Sequence, residues 1–121
     1  MLLIDAANVV GSRPDGWWRD RAGAARSFVD RVRAAADADR ISGPVVVVLE
    51  GAARAGVEAG LSGDLTVLHA GGSGDDLLLA VAADATAPVT LVSADRALGR
   101  QARALGAEVV GPGWLLGRLD G

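Results

Sequence analysis

The run Val45-Val46-Val47-Val48-Leu49 constrains this chain more than any other stretch. Gly43-Pro44 precedes it and Glu50-Gly51 follows it. A strand with one wet face alternates apolar and polar residues. A continuous β-branched run has apolar side chains on both faces, so both must be covered, as in a parallel sheet between helical layers. Shorter apolar runs recur along the chain: residues 2–5, ending in Asp5; Leu65–Leu68; 89–92; and 108–110. Between them lie helical patterns. Ala25, Phe28, Val29, Val32 and Ala36 recur at helical spacing within Asp20–Asp39, and Leu98, Ala102 and Leu105 do so within Ala94–Leu105, with Gly106 as a stop. Residues 6–16 read as a loop and residues 51–60 as a short weak helix. Asp75–Ala85 reads as a helix apolar nearly all round and therefore buried, and Pro112–Leu119 as a closing turn or short helix with Trp114 in the core. Strand and helix alternate throughout, which predicts one α/β domain over residues 1–121 with a mainly parallel sheet.

Composition narrows the chemistry. No cysteine is present and His69 is the single histidine, so zinc with its Cys and His ligands does not fit. Any metal would be a hard ion held through oxygens, Mg²⁺ or Mn²⁺. No apolar run is long enough to span a bilayer and the N-terminus does not read as a signal peptide, so a cytoplasmic location without membrane association is expected. The net charge of −3 argues against wholesale attraction to nucleic acid, while leaving room for a local basic surface. All 12 basic residues are arginine. Without lysine, the glycine-rich stretch 71–74 is no Walker-type phosphate loop.

Acidic residues sit at strand ends and helix starts: Asp5, Glu50, the pair Asp75 and Asp76, and Asp95. In a parallel α/β sheet, ligands bind at the carboxyl ends of the strands around the topological switch point, where Asp5, Glu50 and Asp95 fall. Each has a local explanation as well. Asp5 can close an Asx-type turn, Ser73 with Asp76 resembles a capping box, and Ser93 or Asp95 can cap the following helix. Taken jointly they suggest a cation site, because converging carboxylates repel unless a cation neutralises them.

The segments LLIDAANVV, LEG, SGDDLLLAVAAD and VTLVSADRALGRQARALGAEVV together resemble NYN domains of the PIN-like nuclease superfamily, over nearly the whole chain from Leu2 to about Val110. The resemblance implies a three-layer α/β/α sandwich with five strands in the order 3-2-1-4-5. It also implies metal-dependent hydrolysis of RNA phosphodiesters. By that resemblance Asp5, Asp76 and Asp95 are the catalytic acids, with Glu50 and Asp75 as further metal ligands and Asp75 able to share or replace the role of Asp76. Asn8 matches the Asn that follows the first Asp, and Ser93 the Ser of Ser-x-Asp. Glu50 stands where relatives often carry Asp, and Ala97 where many carry a second acid. The stretch from Gly11 to Arg21 overhangs this edge in the sequence reading. Its Arg13, Trp17 and Arg19, together with Asn8, Ser93 and Arg96, are candidates for holding substrate, since arginine pairs with phosphate and tryptophan stacks on unpaired bases. RNA is the expected partner, and a homodimer is compatible with the reading. Two alternatives stand beside the ribonuclease: a non-catalytic RNA-binding or scaffolding domain of the same fold, and a nucleotide-processing hydrolase using the same acids.

Overall fold

The computed structural model describes residues 1–120, which form a six-stranded sheet flanked by helices. The strands are β1 (Leu2–Asp5), β2 (Val45–Leu49), β3 (Gly60–Ser62), β4 (Leu65–His69), β5 (Thr90–Val92) and β6 (Glu108–Val110). The helices are α1 (Ala6–Gly11), α2 (Arg21–Asp37), α3 (Gly74–Asp84), α4 (Arg96–Ala104) and α5 (Pro112–Leu119). Short 3-10 segments run over Trp17–Arg19 and Gly51–Gly56. Among the described residues no helix is long and apolar enough to cross a membrane.

Every residue of β1 and β2 is buried, as the apolar runs require. Alternate side chains go to opposite faces. Leu2, Ile4, Val45, Val47 and Leu49 join one core with Phe28, Val29 and Val32 of α2 and Leu115 and Leu119 of α5. Leu3, Val46 and Val48 join the other with Leu78 and Ala82 of α3 and Leu98 and Ala102 of α4. Each fully buried Val, Leu or Phe contributes about 1.5–3 kcal/mol relative to exposure, so covering both faces is what makes the central strands the anchor of the fold.

Against the expected five strands in the order 3-2-1-4-5, the sheet has six in the order β3-β4-β2-β1-β5-β6. The parallel strands taken alone run β4-β2-β1-β5-β6, and the added member is the edge strand β3, antiparallel to β4. A two-residue loop, Gly63-Asp64, joins the pair, with Gly63 at φ +61° as tight hairpin turns need. Its three residues are all exposed, so it carries no apolar alternation.

Four local expectations are corrected. The segment after Asp5 opens as α1 instead of a loop, because the Asp5 carboxylate accepts from Asn8 N and caps it. The weak helix after Glu50 is a 3-10 segment held against α2, where a Cβ on Gly56 would overlap the Ala22 carbonyl oxygen. Helix α3 buries one face, through Gly74, Leu78 and Ala82, and leaves Asp76 and Ala80 exposed. Trp114 is half-buried beneath the Arg118 guanidinium, 3.8 Å from its ring centroid, while Leu115 and Leu119 fill the core.

Candidate functional site

The site begins at the end of β1, the central strand that pairs with β2 on one side and β5 on the other. The parallel register sets Ile4 opposite Val92, which brings Asp5 level with Ser93. Both are buried: Asp5 is 6% exposed and Ser93 3%. The Ser93 hydroxyl donates to Asp5 Oδ2 at 2.9 Å and accepts from Asp95 N at 3.1 Å. Asn8 N donates to Asp5 Oδ1 at 3.4 Å, and Asn8 Oδ1 accepts from Ala94 N at 2.7 Å. Asp95 Oδ1 accepts from Leu98 N at 3.0 Å and so caps α4. Five consecutive hydrogen bonds thus lock the ends of β1 and β5 and the starts of α1 and α4 into one unit. The sequence reading has Asn8 orient a carboxylate or hold substrate and pairs Ser93 with Asp95; the structure has both bracing the acids.

Burial pushes the Asp5 carboxyl above its ordinary value of 3.8, against the opposing bonds from Ser93 and Asn8. The charges of Asp75 and Glu50 push it the same way. A buried carboxylate that needs donors to stay ionised, and sits in the field of other acids, is costly for the fold.

Glu50 leaves the end of β2 and reaches across to α3. Its Oε2 accepts from Gly74 N at 3.0 Å, and a Cβ on Gly74 would stand 3.2 Å from Oε1, so the close approach needs glycine there. Ser73 caps the same helix, accepting from Asp75 N at 3.2 Å. These two bonds hold the first turn of α3, and Asp75 with it, beside Glu50. Burial first, then Asp95, Glu50 and Asp76, raise its carboxyl above 3.8. Asp75 is thus a helix-opening acid whose charge is felt by Asp5 and which itself feels Asp95 and Glu50. The sequence reading gave that place to Asp76, from its position just before Leu77, and let Asp75 share or replace it. The helix begins at Gly74, and one residue on a helix turns a side chain by about 100°. Asp76 is exposed.

Asp5, Glu50, Asp75 and Asp95 supply only oxygen donors, the type that suits a hard divalent cation. None of them takes part in an ion pair with arginine among the described residues. Each has one carboxylate with further acceptor capacity beyond the bonds above. Their donor chemistry and their unneutralised charge fit Mg²⁺ or Mn²⁺. They do not form a closed cage: among the described residues no three acidic or histidine groups already stand together in ligating positions.

The basic and aromatic candidates divide. Arg13 turns away from the acids and pairs with Asp120 at 3.3 Å, where Arg31 also pairs, tying the loop after α1 to the chain's far end. Trp18 is 51% exposed with the Arg19 guanidinium 5.8 Å from its ring centroid. Trp17 is half-buried, packs over Gly11, and meets Trp18 edge-on at 6.0 Å. Arg96 is exposed at the start of α4, beside Asp95. His69 is tied to the Val57 carbonyl at 2.7 Å and takes no part. Sequence reasoning missed a cavity of about 440 Å³, lined by Val10, Trp17, Arg21, Leu49, Glu50 and Ser73 among others. These residues come from four separated segments, and no linear pattern joins them. Comparison of the chain with protein-family models, with curated proteins and with solved structures found no match to any of them.

Proposed function

We propose that this chain is a metal-dependent ribonuclease of the NYN type within the PIN-like superfamily, cleaving RNA phosphodiesters at the carboxyl edge of its sheet. The observation that carries the reading is that Asp5, Glu50, Asp75 and Asp95, at the ends of β1 and β2 and the starts of α3 and α4, lie within one another's electrostatic reach, with no arginine ion pair to any of them among the described residues. Its position supports it further. Strand β1 has β2 on one side and β5 on the other, so its carboxyl end is a switch point, where ligands of such sheets bind.

Asp5, Asp75 and Asp95, with Glu50, would hold Mg²⁺ or Mn²⁺. Bound there, the ion supplies an activated water and neutralises charge developing at the phosphate. The chain's own residues prepare for this. Ser93 and Asn8 donate to both oxygens of Asp5, which favours its ionised form against burial. Glu50 fixes the start of α3 and with it the direction of Asp75. The capping bond of Asp95 to Leu98 N fixes one of its oxygens and leaves the other to ligate. Arg96, exposed beside Asp95, is placed to meet a substrate phosphate.

RNA cleavage in the presence of Mn²⁺, compared between the wild type and the Asp5→Asn and Asp95→Asn variants, tests the reading. Both substitutions keep size and, at Asp95, capping ability. Loss of cleavage in both is expected, and unchanged cleavage in both would overturn the assignment of the site. Ala97 favours a second reading, a non-catalytic RNA-binding domain, because it leaves the start of α4 one acid short of the pattern the chain resembles. RNA binding by the wild type, with neither cleavage nor a thermal shift on adding Mn²⁺, would select that reading.

A further inference from the structure

The cavity beside the acidic edge combines features the nuclease reading does not use. It measures about 440 Å³, within the roughly 300–1,000 Å³ typical of small-molecule pockets. Its walls are mostly apolar, with Val10 of α1, Leu49 of β2 and Trp17 among them. Two charged groups of opposite sign also line it. The Arg21 guanidinium stands 5.3 Å from the Trp17 ring centroid and is exposed, and Glu50 belongs both to the cavity and to the acid cluster. The Trp17 ring is held from two sides: Trp18 abuts it edge-on with an interplanar angle of 89°, and its Cζ2 lies 3.6 Å from where a Gly11 Cβ would be.

We propose that this cavity receives one unpaired nucleobase of a single-stranded RNA, next to the phosphodiester presented to the acids. The proposal deepens the ribonuclease reading and rests on it. The chemistry of the lining selects the occupant. An aromatic ring and aliphatic walls match the flat apolar faces of a base. A carboxylate in the lining accepts from ring or exocyclic N–H groups and repels a phosphate, so the base enters and its phosphate stays outside. Arg21, exposed at the cavity and over Trp17, suits that phosphate. A base paired within a duplex cannot leave its stack without cost, so a concave slot of this kind favours single strands. Because Glu50 is shared, an occupant of the cavity sits against the cluster and sets which phosphodiester reaches Asp5 and Asp95.

The test uses fluorescence anisotropy of a labelled short single-stranded RNA, titrated with protein in the presence of EDTA, with a duplex of the same sequence as comparison. Trp17→Leu removes the stacking wall, Ala7→Phe fills the cavity from an exposed lining position, and Trp17→Phe retains an aromatic face. Circular dichroism verifies that each is folded. The expected result is single-strand affinity reduced roughly fivefold to a hundredfold in Trp17→Leu, the loss of one base–aromatic stack. A comparable reduction is expected in Ala7→Phe and near-wild-type affinity in Trp17→Phe, with weaker duplex binding that none of the three alters. Folded Trp17→Leu and Ala7→Phe proteins that bind the single strand as tightly as the wild type would overturn the proposal. Cleavage with Mn²⁺, run in parallel, separates the two readings. Wild-type cleavage with unchanged KM in both variants would remove the base pocket and leave the ribonuclease. Variant-sensitive binding without wild-type cleavage would remove the ribonuclease and leave a single-strand base pocket.

Discussion

Ser93→Ala removes the oxygen through which β5 braces β1, and its cost is expected to depend on pH. The Ser93 hydroxyl donates to Asp5 Oδ2 at 2.9 Å and accepts from Asp95 N at 3.1 Å, and the side chain is buried. A hydrogen bond to a charged group contributes about 1.5–3 kcal/mol and a neutral one about 0.5–1.5, so losing both costs about 2–4.5 kcal/mol when Asp5 is ionised. That is a large share of the roughly 5–15 kcal/mol that holds a domain together. The pH dependence follows from Asp5. Its folded-state carboxyl lies above 3.8 because of burial, so the folded state holds its proton more tightly than the unfolded chain does. Stability from this group is greatest below 3.8 and declines as pH rises through the folded value. Without the Ser93 bond burial is less opposed, the folded value rises further, and the decline continues to higher pH. Each additional unit of that rise adds about 1.4 kcal/mol to the gap between variant and wild type. Urea unfolding followed by tryptophan fluorescence, at mildly acidic and at weakly basic pH, measures the gap at both ends. A gap that widens toward basic pH is expected. A cost below about 1 kcal/mol, or one equal at the two pH values, would refute the reasoning that Ser93 sustains an ionised Asp5.

Two further outcomes follow from the geometry. Asp75→Asn should raise the thermal stability of the metal-free protein near neutral pH and shrink its Mn²⁺-induced thermal shift, whereas Asp76→Asn should change the shift little; equal effects in the two would return the helix-opening role to both. Gly56→Ala drives a methyl into the Ala22 carbonyl oxygen where the 3-10 segment packs on α2, and denaturant unfolding should show a loss of about 1–3 kcal/mol or more, against little change for Gly117→Ala, which meets nothing within 4 Å.

How much of this was legible in the sequence depends on where each constraint came from. The central strands were readable because Leu2–Asp5 and Val45–Leu49 are buried on both faces, and burial writes itself as continuous apolar residues. The stop at Gly106 was readable because a φ of +92° favours glycine. Helix α1 was hidden by its six residues; the Asx-turn reading of Asp5 already contained its cap but not its continuation. Strand β3 was hidden because exposed edge residues need no apolar pattern. The acids at strand ends were visible as positions, but the different exposure of Asp75 and Asp76 depends on a helix start that Glu50 braces from another element. The ion pair of Arg13 could not be read in advance because its partner, Asp120, lies 107 residues away. The cavity was invisible for the same reason: Trp17 and Glu50 come to line one space only through the fold.

On the proposed reading, Asp5, Glu50, Asp75 and Asp95 together hold a hard divalent cation. Titration calorimetry with Mn²⁺ on the wild type and on Asp5→Asn, near neutral pH, tests it most directly. A saturable heat in the wild type that is lost or strongly weakened in Asp5→Asn is the expected result. No saturable heat in the wild type, or the same heat in both proteins, would contradict it.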